Sequence, residues 1–374
     1  MRAPRNTGSG ESVVNAPGPK SKLPGSLVRE EILALKAYPV AAATGMIKLD
    51  AMENPYRLPE ALREEVARTV STLPINRYPD PTAPELKARL REVFDIPEAC
   101  GILIGNGSDE IIQIVIQALA RPGATLLAPE PSFVMYRTNA LYAGMRYVGV
   151  PLAPDFTLDL ERVLAAMREA HPALVFVAYP NNPTGNLFPE DAVTRIIEEA
   201  PGLVVVDEAY HVFAGRTFMH RLGEFPNLMV MRTVSKLGLA GIRLGYAAAG
   251  TEWITEFDKV RPPYNVNMIT QFVAERVLGH IAVLEKQAEA IKIERESLVG
   301  KLRDLNGVEP FPSDANFILV RVPDADAVSR RLRERRVLIR NFHGSHPLLA
   351  NCLRLTVGTP GENALMLDAL SGSL

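Results

Sequence analysis

Short apolar runs recur through the middle of this chain, at residues 102–104, 124–128, 147–150, 174–178, 203–206, 228–231 and 244–248. They are continuous rather than alternating, so each is expected as a strand covered on both faces. Helical stretches separate several of them, notably 159–170 and 189–200. A run of buried strands with intervening helices predicts a mostly parallel sheet in an α/β domain. Ligands of such sheets gather at the carboxyl ends of the strands, and those ends are where chemistry is sought.

The ends are unusual. After 102–104 comes Gly105-Asn-Gly-Ser-Asp-Glu110, opening a helix; unpaired N–H groups there suit a phosphate, although an ordinary turn capped by Ser108 reads the same. After 124–128 comes Pro129-Glu-Pro-Ser-Phe133, whose ring can stack on a planar ligand or belong to the core. After 174–178 the chain turns through Tyr179-Pro-Asn-Asn-Pro-Thr-Gly185, a rigid turn with an asparagine amide to spare. Asp207 ends a wholly apolar strand, where a carboxylate needs a cationic or N–H partner, or serves as a helix cap.

The last end is Thr233-Val-Ser-Lys-Leu-Gly-Leu-Ala-Gly-Ile-Arg-Leu-Gly-Tyr246. Lys236 stands among glycines and aliphatic residues, where scarce water lowers an amine's pKa and leaves it neutral to attack a carbonyl. Ser235 and Arg243 can hold a phosphate close by. Alone, Lys236 is equally a loop lysine; five strand ends in this order supply what pyridoxal 5'-phosphate needs.

The rest of the chain bounds this reading. With 374 residues it is long enough for two domains. The expected layout is an N-terminal arm over 1–25, a first part of a small domain over 26–75, a large cofactor-binding domain over 76–262, and a long linking helix with the rest of the small α+β domain over 263–374. A single helical region is expected from 268 to 305. The formal net charge of -2 argues against a nucleic-acid partner, and no apolar run approaches bilayer length. Arg2 and Arg5 precede no apolar segment, so no secretory signal is expected. Two distant cysteines, Cys100 and Cys352, suit a reducing cytoplasm and no metal site.

Asn182-Pro-Thr-Gly185, Asp207-Glu-Ala-Tyr210, Ser235-Lys236, Arg243 and Arg354 resemble the signature of fold-type I, class I/II aminotransferases, over residues 26–370. Glu53-Asn-Pro-Tyr56, Asn76-Arg-Tyr-Pro-Asp80, Gly105-Asn-Gly-Ser-Asp-Glu110 and Cys352-Leu-Arg-Leu-Thr-Val-Gly358 are most similar to the histidinol-phosphate group. The resemblance implies a pyridoxal-phosphate enzyme in which Lys236 forms a Schiff base and Asp207 pairs with the ring nitrogen. Asn182 and Tyr210 would bond the phenolic oxygen, and Phe133 would stack on the ring. Ser108, Asp109, Ser235 and Arg243 would hold the phosphate, with Tyr78 reaching it from a partner subunit of a homodimer that shares its active sites.

At the substrate end the resemblance implies Arg354 for a carboxylate, and Tyr38, Asn54 and Arg340 for a phosphorylated substrate. The implied reaction is transamination between histidinol phosphate and 2-oxoglutarate. An aromatic amino acid aminotransferase, a phosphothreonine-type decarboxylase and a cofactor-binding regulator are the alternatives. Three departures bear on substrate: Phe133 stands where the family commonly has tyrosine, the Lys236–Arg243 gap is shorter than in some relatives, and Met52 and Arg57 interrupt an Asn-Glu-Asn-Pro-Tyr-Gly pattern.

Overall fold

The computed structural model describes residues 24–37 and 41–374, in two compact units, 1–41 and 42–374. Within the first, Pro24–Ser26 is a 3-10 turn and Glu30–Leu33 a single helical turn. The amphipathic segment expected over 26–36 is thus one turn with no buried residue, as befits a helix too short to hold itself. The arm over 1–25 falls outside the described residues but for its last two, and Tyr38 falls outside them as well.

Unit 42–374 holds a seven-stranded and a five-stranded sheet. β1 (Ile47–Leu49) belongs to the smaller sheet. The larger is built from β2 (Cys100–Asn106), β3 (Thr125–Glu130), β4 (Arg146–Pro151), β5 (Leu174–Ala178), β6 (Leu203–Asp207), β7 (Leu228–Thr233) and β8 (Leu244–Gly250). Their order is β2-β8-β7-β6-β5-β3-β4. Every strand of β5 and β6 is buried along its whole length, as continuous apolar runs require. The pairings among β3 to β7 are parallel, while β8 runs antiparallel to both β2 and β7. Residues 234–243 between β7 and β8 are too few for a parallel crossover, so the chain must return in the opposite sense.

The smaller sheet adds β9 (Glu309–Pro310), β10 (Phe317–Arg321), β11 (Val337–Asn341) and β12 (Cys352–Thr356), in the order β1-β11-β12-β10-β9. The helix Ala325–Glu334 links β10 to β11. The single helical region expected over 268–305 is two helices, Met268–Leu278 and Ile281–Arg303. Gly279 closes the first, and His280 leaves the helical region at φ -114, ψ 37 before the second begins. Glycine's high cost in a helix interior marks that break.

Candidate active site

The carboxyl ends of β3, β5, β6 and β7 and the helix that follows β2 converge on one cleft. Lys236, Asp207, Asn182, Tyr210, Phe133, Ser108, Asp109, Ser235 and Arg243 all line it. Lys236 sits in a turn over Ser235–Leu239 that is broken at Gly238, whose φ of +135 excludes a side chain. A Cβ there would also lie 3.0 Å from Asn54 Nδ2. The turn presses Lys236 into the cleft, where Nζ donates to the Ala51 carbonyl at 3.0 Å. Burial, with the charges of Arg354 and Arg243 adding to it, lowers its pKa from 10.5 to about 8, against the pull of Glu53 and Asp109.

Asp207, the last residue of β6, lies at the floor and is buried. Tyr136 donates its hydroxyl to Oδ2 at 2.6 Å, and the Ala209 N–H reaches Oδ1 at 3.1 Å. Burial nevertheless raises Asp207 to about 6. Two hydrogen bonds do not compensate for the lost water, so the carboxylate is short of a cation. Tyr136 was not singled out from the sequence. It stands one helical turn after Phe133, in the helix Val134–Tyr142, and stacks on Phe176 at 4.4 Å. Phe133 faces the cleft at that helix's N-terminus, edge-on to Tyr136.

The helix Ser108–Leu119 begins with Gly107 as N-cap and no side-chain cap. Ser108 is therefore the first helical residue, not the cap, and the N–H groups of that turn stay open to an anion. Arg243 Nη1 lies 3.4 Å from Ser235 Oγ and its Nη2 3.5 Å from Asp109 Oδ2, closing the other side. Gly245 makes the close approach possible: a Cβ there would stand 2.4 Å from the backbone of Gly107 and Ser108. An uncapped helix end with an arginine suits a phosphate, the cation-short Asp207 a protonated ring nitrogen, Phe133 a ring face and Lys236 a carbonyl. Pyridoxal 5'-phosphate fits that donor set.

In the doubled asparagine, Asn181 locks the turn through Thr184 and Pro131, while Asn182 turns to the cleft. Its Oδ1 accepts from Arg354 Nη1 at 2.6 Å, and Arg354 Nη2 donates to the Asp50 carbonyl at 2.9 Å. Arg354 on β12 and Arg340 on β11 are direct register partners. Both guanidinium groups lie over the ring of Phe342, at 5.2 and 5.9 Å. Tyr210 packs edge-on to Phe317 and lies 6.0 Å from Lys236 Nζ.

Of the expected site residues, Asn54, Tyr78, Arg340 and Arg354 are absent from the cleft lining, although Arg354 reaches Asn182 in it. Asn54 is spent on the fold: Nδ2 donates to the Leu237 carbonyl and to Gln287, and Oδ1 accepts from the Tyr56 N–H. It steadies the lysine turn and does not line the cleft. Tyr78 is exposed and stacks on Tyr264 at 4.5 Å, also outside the cleft of its own chain.

Residues 44–370 match the family described as aminotransferase class I and II. The histidinol-phosphate aminotransferase of Chromobacterium violaceum is 58% identical over 92% of this chain and 97% of its own length. Histidinol-phosphate aminotransferase 1 of Ralstonia nicotianae is 54% identical over 94% and 95%. The crystal structure of the Sinorhizobium meliloti histidinol-phosphate aminotransferase in complex with pyridoxal-5'-phosphate superposes with a TM-score of 0.83, at 26% identity over 93% of this chain and 97% of that one. With that match spanning both sheets and the whole cleft, the chain belongs to the class I and II aminotransferases.

Proposed function

We propose that this chain is a pyridoxal-phosphate-dependent histidinol-phosphate aminotransferase, exchanging an amino group between L-histidinol phosphate and 2-oxoglutarate in histidine biosynthesis. The observation that carries the substrate is the Arg340–Arg354 pair. The two residues stand directly opposite on neighbouring strands with both guanidinium groups over Phe342, so one anion can engage both. Planar guanidinium groups bind phosphate and carboxylate alike, so one site serves a phosphorylated amine and a dicarboxylate in turn. The two highly similar relatives carrying that name support the same reading.

When bound, pyridoxal 5'-phosphate supplies a reactive carbonyl and an electron-withdrawing ring. Ser108, Asp109, Ser235 and Arg243 would hold its phosphate, Asp207 its ring nitrogen, Asn182 and Tyr210 its phenolic oxygen, and Phe133 its ring face. Asp207 keeps a proton on that nitrogen because a buried carboxylate without a cation is unfavourable. Lys236 Nζ, lowered to about 8, accepts and returns a proton near neutral pH. Arg354, pre-aligned by Asn182, orients the substrate so that the bond to be broken faces Nζ.

We further propose a homodimer whose active sites are shared. Exposed Ile75, Tyr78, Tyr264, Ile269 and Phe272 support it, since Gln271 donating to the Asp80 carbonyl brings the helix of the last two against the loop of Tyr78. From such a face Tyr78 would reach the partner's phosphate site. Cys100 and Cys352, both free thiols, accord with a cytoplasmic location.

A substrate panel on the pure enzyme tests the function. Transfer from glutamate to imidazole acetol phosphate should outpace transfer to phenylpyruvate. Equal rates would favour an aromatic aminotransferase, and carbon dioxide release a decarboxylase. Arg340→Ala should weaken the phosphorylated substrate far more than glutamate; equal losses would remove Arg340 from the phosphate site.

A further inference from the structure

Met52 holds its backbone at φ +53, the left-handed region that a residue with a Cβ rarely adopts. Both of its backbone polar groups are pinned. Its N–H donates to Thr356 Oγ1 at 3.1 Å, and its carbonyl accepts from the fully buried Asn316 at 3.0 Å. The two carbonyls before it point inward: Asp50 accepts from Arg354 and Ala51 from Lys236. Its side chain lines the cleft and packs in the same buried cluster as Tyr210 and Phe317. A strained residue, fixed from both sides and flanking the guanidinium that a substrate must engage and the amine that the cofactor must engage, marks a functional conformation.

We infer that Met52 is a positioning residue: its left-handed turn aims the Asp50 and Ala51 carbonyls at Arg354 and Lys236, holding the guanidinium in place until a substrate anion displaces its carbonyl and the amine in place for the cofactor's carbonyl. The Asp50 carbonyl is a neutral acceptor, so a substrate anion displaces it from Arg354 readily, whereas a carboxylate side chain in its place would compete with substrate. Arg354 and Lys236 therefore wait in a defined geometry without being blocked. The backbone, not the thioether, carries the effect, and this rests on the transaminase reading only for what is displaced.

Substitutions at position 52 separate backbone from side chain. Asparagine tolerates the left-handed region, while valine, branched at Cβ, does not. In cofactor-free protein, Met52→Asn should melt at or above the wild-type temperature and Met52→Val several degrees below. With the cofactor bound, Met52→Val should raise KM for glutamate about tenfold with kcat little changed, and shift the pH midpoint of the cofactor–lysine absorbance band. Met52→Asn, which keeps the left-handed backbone, should raise KM and shift the midpoint less than Met52→Val does. Should Met52→Val not fold, Met52→Ala takes its place, since it removes the same wall as asparagine without the left-handed preference. Wild-type KM and midpoint in the valine or alanine variant would overturn the inference, as would equal defects in asparagine and valine. An inactive wild type would count against the transaminase reading, leaving the melting order and the absorbance midpoint to decide the role of Met52.

Discussion

Tyr136 donates its phenolic O–H to Asp207 Oδ2 at 2.6 Å, and the carboxyl remains raised to about 6 by burial. Its ordinary value is 3.8, so over that window the folded, cofactor-free protein holds a proton that the unfolded chain has released. Stability should then fall as pH rises from about 4 to 6, by as much as about 3 kcal/mol. Asp207→Asn removes this slope: its cofactor-free form should melt above wild type at pH 7 and lose that advantage near pH 4, while activity disappears. Tyr136→Phe takes away a bond that lowers Asp207, so the acid limb of kcat/KM should move to higher pH.

Lys236 has the opposite linkage. Its folded pKa of about 8 lies below the ordinary 10.5, so between those values the unfolded chain binds the proton that the folded one has released. Stability from this group rises with pH across that window, and below pH 8 the buried charge opposes folding by something on the order of 3 kcal/mol. Cofactor-free Lys236→Met should exceed wild type in melting temperature at pH 7, the gap closing toward pH 10.5. The same variant should show neither transamination nor a borohydride-fixed adduct.

The strand ends were legible because each needs a specific residue after an apolar run, and Asp207, Asn182 and Lys236 lie in one cleft as the order of runs implies. The strand direction of β8 was less so: Leu244 to Ala248 is apolar either way, and only the short connection from β7 tells the sense. Tyr136 carries no signature of its own, since a lone tyrosine in the mixed segment Val134–Tyr142 reads as packing, and it is fully buried. The part Asn54 plays in the fold is invisible in the sequence, because a side chain's partner, here the Leu237 carbonyl across 183 positions, is a tertiary fact. The Asp50 and Ala51 carbonyls carry no side-chain signature at all.

Asn182 holds Arg354 through a 2.6 Å bond from Nη1, with both groups buried. Asn182→Ala leaves that nitrogen without its acceptor, at a cost of about 1.4 kcal/mol, or tenfold, in binding the substrate's anion. KM for glutamate should rise by that factor. A matching rise should appear for imidazole acetol phosphate if Arg354 serves both half-reactions, and steady-state kinetics on the two substrates checks it.

Behind Asp207, Glu208 and Arg232 form an ion pair at 2.8 Å with side chains 0% and 5% exposed. Thr217 bonds to both partners, and the Phe218 N–H adds a further bond to Glu208. The pair ties the end of β6 to β7, the strands that lead to Asp207 and Lys236. Removing one partner strands a buried charge, so Arg232→Met or Glu208→Leu alone should each lose about 3–5 kcal/mol. Removing both leaves no uncompensated charge, and the double variant should be more stable than either single one. Urea midpoints of the three proteins decide the matter: additive losses would mean that the two groups contribute separately and that the ion pair is not the unit holding β6 to β7.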